Sequence, residues 1–387
     1  MMFSEKTCRI RQSLTRQLFD LAKKYDDVVD LTLGDPDLSP CDEIKNAACR
    51  AILEGNTHYS SNAGLPEARK AIASFSSREY NKSIFENNVL VTVGGMEGIY
   101  LLLNALLNRD DEVIVFSPCY VNYIQMVLLC DAKPVVVPFI DDGNFSIDLE
   151  IFEQSVTSRT KVVILNSPNN PTGKIVDEGT IRKIADIAVR NNLFVILDEV
   201  YRSLVYDDGR FFSMYSLEGI EGNCAVVDSM SKRYSMTGYR LGYVICNEEL
   251  VDCMVKLQEN IVACAPLPSQ YAAIEAYGNG ISNEYVKNEF MRRRDFMLGR
   301  IGRMDSLSMT NIDASFYAFV NIGRLGMKSL DFSMKLLERA HVAVVPGITY
   351  EEDCDNYVRI AFTKDVKILE VAMNRIEKFI REIENGK

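Results

Sequence analysis

The chain has 387 residues, 47% hydrophobic and 25% charged, enough for two domains of a soluble globular protein with a large core. Its 43 Lys and Arg against 54 Asp and Glu give a net charge of −11, which argues against nucleic acid or an anionic membrane as partner and leaves small molecules. Ten scattered cysteines without a C-x-x-C pair read as reduced thiols, and two histidines, His58 and His341, are too few to support a histidine metal site or a Ser/His/Asp triad, so no metal is expected.

No apolar stretch follows the charged amino terminus and none reaches membrane-spanning length, which makes a cytoplasmic protein the expectation. Residues 12–24 carry Leu14, Leu18, Leu21 and Ala22 at helical spacing, and the extended run 28–33 then enters the turn Gly34-Asp35-Pro36-Asp37. A short helix over 41–53 and the loop 58–64 precede a helix opened by Leu65-Pro66-Glu67. From there short apolar strands alternate with helices, the pattern of an α/β domain. Strands are predicted at 89–93, 112–116, 161–165, 194–197, 225–227 and 241–246. Long helical patterns follow over 248–277 and 282–303, with Arg292-Arg293-Arg294 expected on a solvated face. Strands at 316–322, 342–345 and 357–362, with helices at 329–340 and 366–384, suggest a second, smaller sheet completed by the amino-terminal segment. The domains expected are therefore 41–285, and 1–40 with 286–387.

Polar residues collect where the strands of the first sheet end, which is where open α/β sheets bind ligands. Gly94-Gly95, between strand and helix, suits a phosphate cradle, because small residues let backbone N–H groups approach an anion. Taken alone, the pair reads more simply as a tight turn. Neither the Walker pattern nor G-x-G-x-x-G is present, which argues against ATP or a dinucleotide and leaves a monophosphate open. Further ends carry Asn170-Pro171-Thr172-Gly173, Asp198-x-x-Tyr201 and Ser229-x-Ser231-Lys232, with Arg240 beyond. A lysine at a strand end can be desolvated into a neutral nucleophile, although Lys232 alone could as well be a surface residue of a Ser-rich loop.

In this order the motifs make the chain resemble the class I aminotransferases of fold type I, which use pyridoxal 5′-phosphate (PLP), over nearly its whole length. The resemblance implies a large PLP-binding domain with a mostly parallel central sheet flanked by helices, and a smaller α+β domain. It implies an aminotransferase moving an amino group from an L-amino acid to a 2-oxo acid by a ping-pong route, with Lys232 as Schiff-base anchor and general base. A lyase, cyclase or synthase on the same fold is the alternative.

Carried over by motif, Asp198 would face the pyridine nitrogen, while Asn170 and Tyr201 would bond the ring hydroxyl and Tyr120 would stack on the ring. The N–H groups of Gly95 and Met96, the hydroxyls of Ser229 and Ser231, and Arg240 would hold the phosphate, with Tyr59 reaching it from a second subunit of a homodimer. Arg359 would take the substrate α-carboxylate, helped by Gly34 and Asn170. Three positions depart from the family pattern: Met96 stands where one aspartate-specific group has lysine, Tyr239 replaces a usual Trp, and Tyr350-Glu351 replaces Phe-Gly. All three lie toward the substrate side, so the resemblance leaves the amino acid open.

Overall fold

Valine, isoleucine and leucine make up about half of the strand residues, and eight of the strands form one sheet in the computed structural model, which describes residues 4–207 and 209–386. The outermost ends of the expected second domain, 1–3 and Lys387, lie outside the described residues, as does Asp208 of the first. Across the sheet the strands run Val89–Thr92, Gly242–Ile245, Cys224–Ser229, Phe194–Asp198, Thr160–Asn166, Glu112–Ser117, Lys133–Ile140 and Ser146–Ile147. The five from Cys224–Ser229 to Lys133–Ile140 pair in parallel. Gly242–Ile245 runs antiparallel to both neighbours, so it starts at the edge where they end.

Continuous apolar strands need cover on both faces, and helices supply it. Ile72, Ile184 and Ala273 pack in the cluster on one side, Leu102, Val127 and Met254 in that on the other. Three further strands form a smaller sheet in which Tyr357–Ala361 lies between Tyr317–Asn321 and Val345–Pro346, all antiparallel. Phe290, Phe316, Leu336 and Met373 share a separate apolar cluster there. The amino-terminal segment joins it through Val29–Asp30, parallel to Val342–Ala343, and the Leu31 carbonyl accepts from the Ala361 N–H.

Several expectations are corrected. The single helix expected over 248–277 is two, Glu248–Ile261 and Leu267–Ala273, followed by the π-turn Ile274–Gly278; Ala263 takes a left-handed φ of 64° and Pro266 caps the second helix. The strand Lys133–Ile140 was not expected, because Pro134 and Pro138 interrupt its apolar run and much of it is only partly buried. Only Arg292 of the arginine triplet is solvated. Arg293 and Arg294 are 2% and 4% exposed. Arg293 pairs with Asp37 at 2.8 Å and Glu289 at 2.7 Å, and Arg294 with Asp207 at 2.5 Å and Asp295 at 2.7 Å. Two of these acids come from distant segments, which periodicity within one helix cannot reveal. All ten cysteines are free thiols.

Candidate active site

Where the parallel strands end, the loops border a cavity of about 450 Å³ lined also by the smaller sheet and the start of the helix Leu14–Ala22. Strand Cys224–Ser229 stops as Ser229 becomes the cap of the single turn Met230–Arg233, which carries Ser231 and Lys232 into the cavity. The Lys232 Nζ donates to the Gly34 carbonyl at 2.8 Å. Burial lowers its pKa to about 8; Asp35 opposes the shift, while Arg240 and Arg359 add to it.

Asp198 ends the neighbouring strand and is buried. Burial raises its carboxyl to about 6, against the Tyr123 hydroxyl, which donates to it at 2.5 Å, and the Val200 N–H at 3.4 Å. One strand further, Asn166 donates to the Pro168 and Asp198 carbonyls and accepts from the Asn170 N–H at 2.9 Å. It fixes the loop that presents Asn170.

On the other side, Gly94 caps the helix Gly95–Leu106 with a φ of 77° that favours glycine. A Cβ there would lie 2.7 Å from the Arg240 guanidinium, and one on Gly242 would lie 2.5 Å from the Gly95 nitrogen. Bare backbone therefore lets the helix N-terminus, Arg240 and the Ser229 end of the adjacent strand crowd together. Arg240 is itself left-handed, with φ 52°, and donates to the Thr237 carbonyl at 2.9 Å.

The smaller sheet contributes Arg359, 4% exposed at the cavity roof. Its guanidinium donates to Asn170 Oδ1 at 3.2 Å and to the Thr32 carbonyl, lies 4.3 Å above the Tyr317 ring and leaves Nε without a partner. Tyr201 meets Tyr317 hydroxyl to hydroxyl at 3.1 Å. Tyr120 lines one wall, accepting from Asn122 at 2.9 Å and touching the Met96 sulfur at 3.5 Å.

Every site residue anticipated from the sequence lines this cavity except Tyr59, which is 87% exposed beside a shallow hollow with Pro266 and Leu267. Sequence reasoning did not single out Tyr123, Asn166 or Tyr317. The first and last stand in apolar runs like any core aromatic, and only Asn166, the polar residue that closes its apolar strand, offered a signal.

The geometry agrees with what the chain is similar to. The model of the family "Aminotransferase class I and II" matches residues 26–376. The chain is 36% identical to an aspartate aminotransferase of Pyrococcus horikoshii over 97% of this chain and 96% of that one. With an aromatic-amino-acid aminotransferase of Thermococcus litoralis it shares 34% over 99% of each. A crystal structure of an aspartate aminotransferase from Thermotoga maritima superposes with a TM-score of 0.93 at 33% identity, covering 98% of this chain and 100% of that one. The chain belongs to the class I and II aminotransferases.

This aminotransferase is PLP-dependent, and its cavity suits the cofactor on its own terms. A buried lysine of lowered pKa, a buried carboxylate across the cavity and a glycine-built helix N-terminus beside an arginine match an aldehyde, a pyridine nitrogen and a phosphate. The Arg359 Nε is a buried donor at this cavity without a hydrogen-bond partner.

Proposed function

We propose that this aminotransferase works by a ping-pong exchange in which Lys232 both anchors the cofactor and carries the substrate proton. The observation that carries the reading is the Lys232 amine, desolvated to a pKa of about 8 inside a cavity that also holds Asp198, Arg240 and Arg359. When bound, PLP supplies an electron-poor ring that takes up the electrons released as the substrate Cα–H bond breaks.

Asp198 would hold a proton on the ring nitrogen; the low-dielectric wall around it strengthens that ion pair. Asn170 and Tyr201 would donate to the ring hydroxyl, and Tyr120 would cover one ring face. Gly95, Met96, Ser229, Ser231 and Arg240 would hold the phosphate, leaving Lys232, once released, free to lift the proton from Cα and return it two bonds away, at the cofactor's C4′. Arg359 would grip the α-carboxylate through two guanidinium nitrogens, with Asn170 orienting it and Gly34 adding a backbone contact. An amino acid thus enters and leaves as a 2-oxo acid before a second 2-oxo acid is admitted.

The exposed position of Tyr59 is consistent with a homodimer in which it completes a second subunit's phosphate site. We assign the large PLP-binding unit to 41–285 and the smaller one to 1–40 with 286–387, and place the enzyme in the cytoplasm; no described helix is long and apolar enough to cross a membrane.

Lys232→Ala is expected to abolish turnover and the visible absorbance of the bound cofactor; retention of both would sink the reading. A second measurement separates transamination from a lyase or cyclase. Amino acid mixed with enzyme and no acceptor should release about one 2-oxo acid per active site and stop, whereas continuous consumption of the amino acid without an acceptor would favour the alternative.

A further inference from the structure

Tyr317 stands at a junction that neither the motifs nor the family comparison assigns. It begins Tyr317–Asn321, an outer strand of the smaller sheet, and is 3% exposed, yet it lines the cavity. Its hydroxyl lies 3.1 Å from that of Tyr201, and its ring lies 4.3 Å beneath the Arg359 guanidinium. A Cβ added to Gly34 would fall 1.9 Å from the Tyr317 oxygen, so the phenol is wedged against the backbone whose carbonyl holds Lys232. One side chain therefore touches Tyr201 and Arg359, proposed above to hold the ring hydroxyl and the substrate carboxylate, and the Gly34 backbone that accepts from Lys232.

We propose that Tyr317 is a positioning residue with two separable functions: its hydroxyl donates to Tyr201, and its ring seats Arg359. The first follows from proton counting. A phenol has one proton and two acceptor sites. If Tyr201 spends its proton on the cofactor, the Tyr201–Tyr317 contact can be bonded only with Tyr317 as donor, and a phenol that accepts a hydrogen bond is polarised into a better donor. The second follows from the partners of Arg359: two nitrogens are tied to Asn170 and Thr32 and one is unpaired, so the flat face resting on Tyr317 sets the plane in which the fork is offered.

The inference rests on the cofactor reading above, and two variants test its halves. Tyr317→Phe keeps the ring and deletes the donor. Tyr201 should then stabilise the ring oxygenate less, and the pH midpoint of the bound cofactor's visible absorbance should rise by roughly 0.3–1 unit, with little change in KM for the amino acid. Tyr317→Leu removes the ring as well, and KM should rise about 3- to 30-fold above that of Tyr317→Phe, with the absorbance midpoint matching that variant. An unshifted midpoint in Tyr317→Phe overturns the donor function, and equal KM values in the two variants overturn the seating function. Should Tyr317→Leu fail to fold, Tyr317→Met supplies the same comparison. Failure of the underlying reading shows separately, as visible absorbance and turnover surviving in Lys232→Ala.

Discussion

Lys232 and Asp198 face one cavity with pKa values displaced toward each other, the amine down to about 8 and the carboxyl up to about 6. Burial drives both shifts, because it disfavours whichever form is charged. At pH 7 roughly a tenth of the protein without cofactor carries a neutral Lys232, far more than an ordinary lysine would allow. Depressing the amine's pKa moves its gain of nucleophilicity to lower pH, so the rate of PLP capture should rise from pH 7 to about 8.5 and then level. Stopped-flow absorbance checks this, and a rise continuing toward pH 10 would show a solvated amine. Tyr123→Phe removes a donor that pulls the Asp198 pKa down. It should leave more of the carboxyl neutral near pH 6, weakening PLP binding more at pH 6 than at pH 8, as measured by equilibrium dialysis. The lysine and aspartate were legible from their place after apolar strands. Tyr123 and Tyr317 were not, because a phenol in an apolar run announces itself only through the partner it meets, and those partners lie 75 and 116 residues away.

At the level of elements, the strand ends were readable because glycine, proline and asparagine punctuate aliphatic runs, and this carried most of the larger sheet. What escaped was the next-to-outermost strand Lys133–Ile140, with two prolines, and the break before Leu267, where an apolar helical pattern continues across a backbone reversal at Ala263. The site depends on a tighter condition than element type. Gly242 sits in register with both Thr92 and Ser229, and its missing Cβ is what lets the Gly95 N–H approach. In Gly242→Ala the methyl would meet backbone on both sides, so the helix must withdraw. PLP affinity is expected to fall by about tenfold or more, the loss of one or two charge-assisted hydrogen bonds, while the circular dichroism of the cofactor-free protein stays close to that of the parent. Unchanged affinity would show that the helix N-terminus is not part of the phosphate site.

Across the whole molecule, the two sheets meet over the cavity, and buried arginines tie distant segments together. Arg293 links the helix Glu284–Ile301 to Asp37 of the loop that follows Gly34. Arg293→Met should cost about 2–3 kcal/mol, since it leaves Asp37, its side chain largely covered, without a counter-charge, while Glu289 keeps Arg292. The urea midpoint measures this, and a loss below about 0.5 kcal/mol would place the pair among ordinary surface contacts. Ligand linkage acts on the same scale. Removing PLP should lower the melting temperature by the equivalent of about 4 kcal/mol for a cofactor held at a thousand times its Kd, and Lys232→Ala should recover little of that on adding PLP back.

The reversed strand Gly242–Ile245 carries a further consequence. In a sheet whose other central strands all point one way, a residue just before a strand would fall at the far edge, about 13 Å from the ligand for a strand of this length. Reversal brings the start of this strand to the working edge, so the chain from Ser229 to Arg240 leaves one strand and enters the next without crossing the sheet. The amine proposed to hold one end of PLP and the guanidinium proposed to hold the other thus sit on a single short excursion of backbone. The distance between them is set locally by that loop, and the span of the grip does not depend on how the rest of the sheet twists.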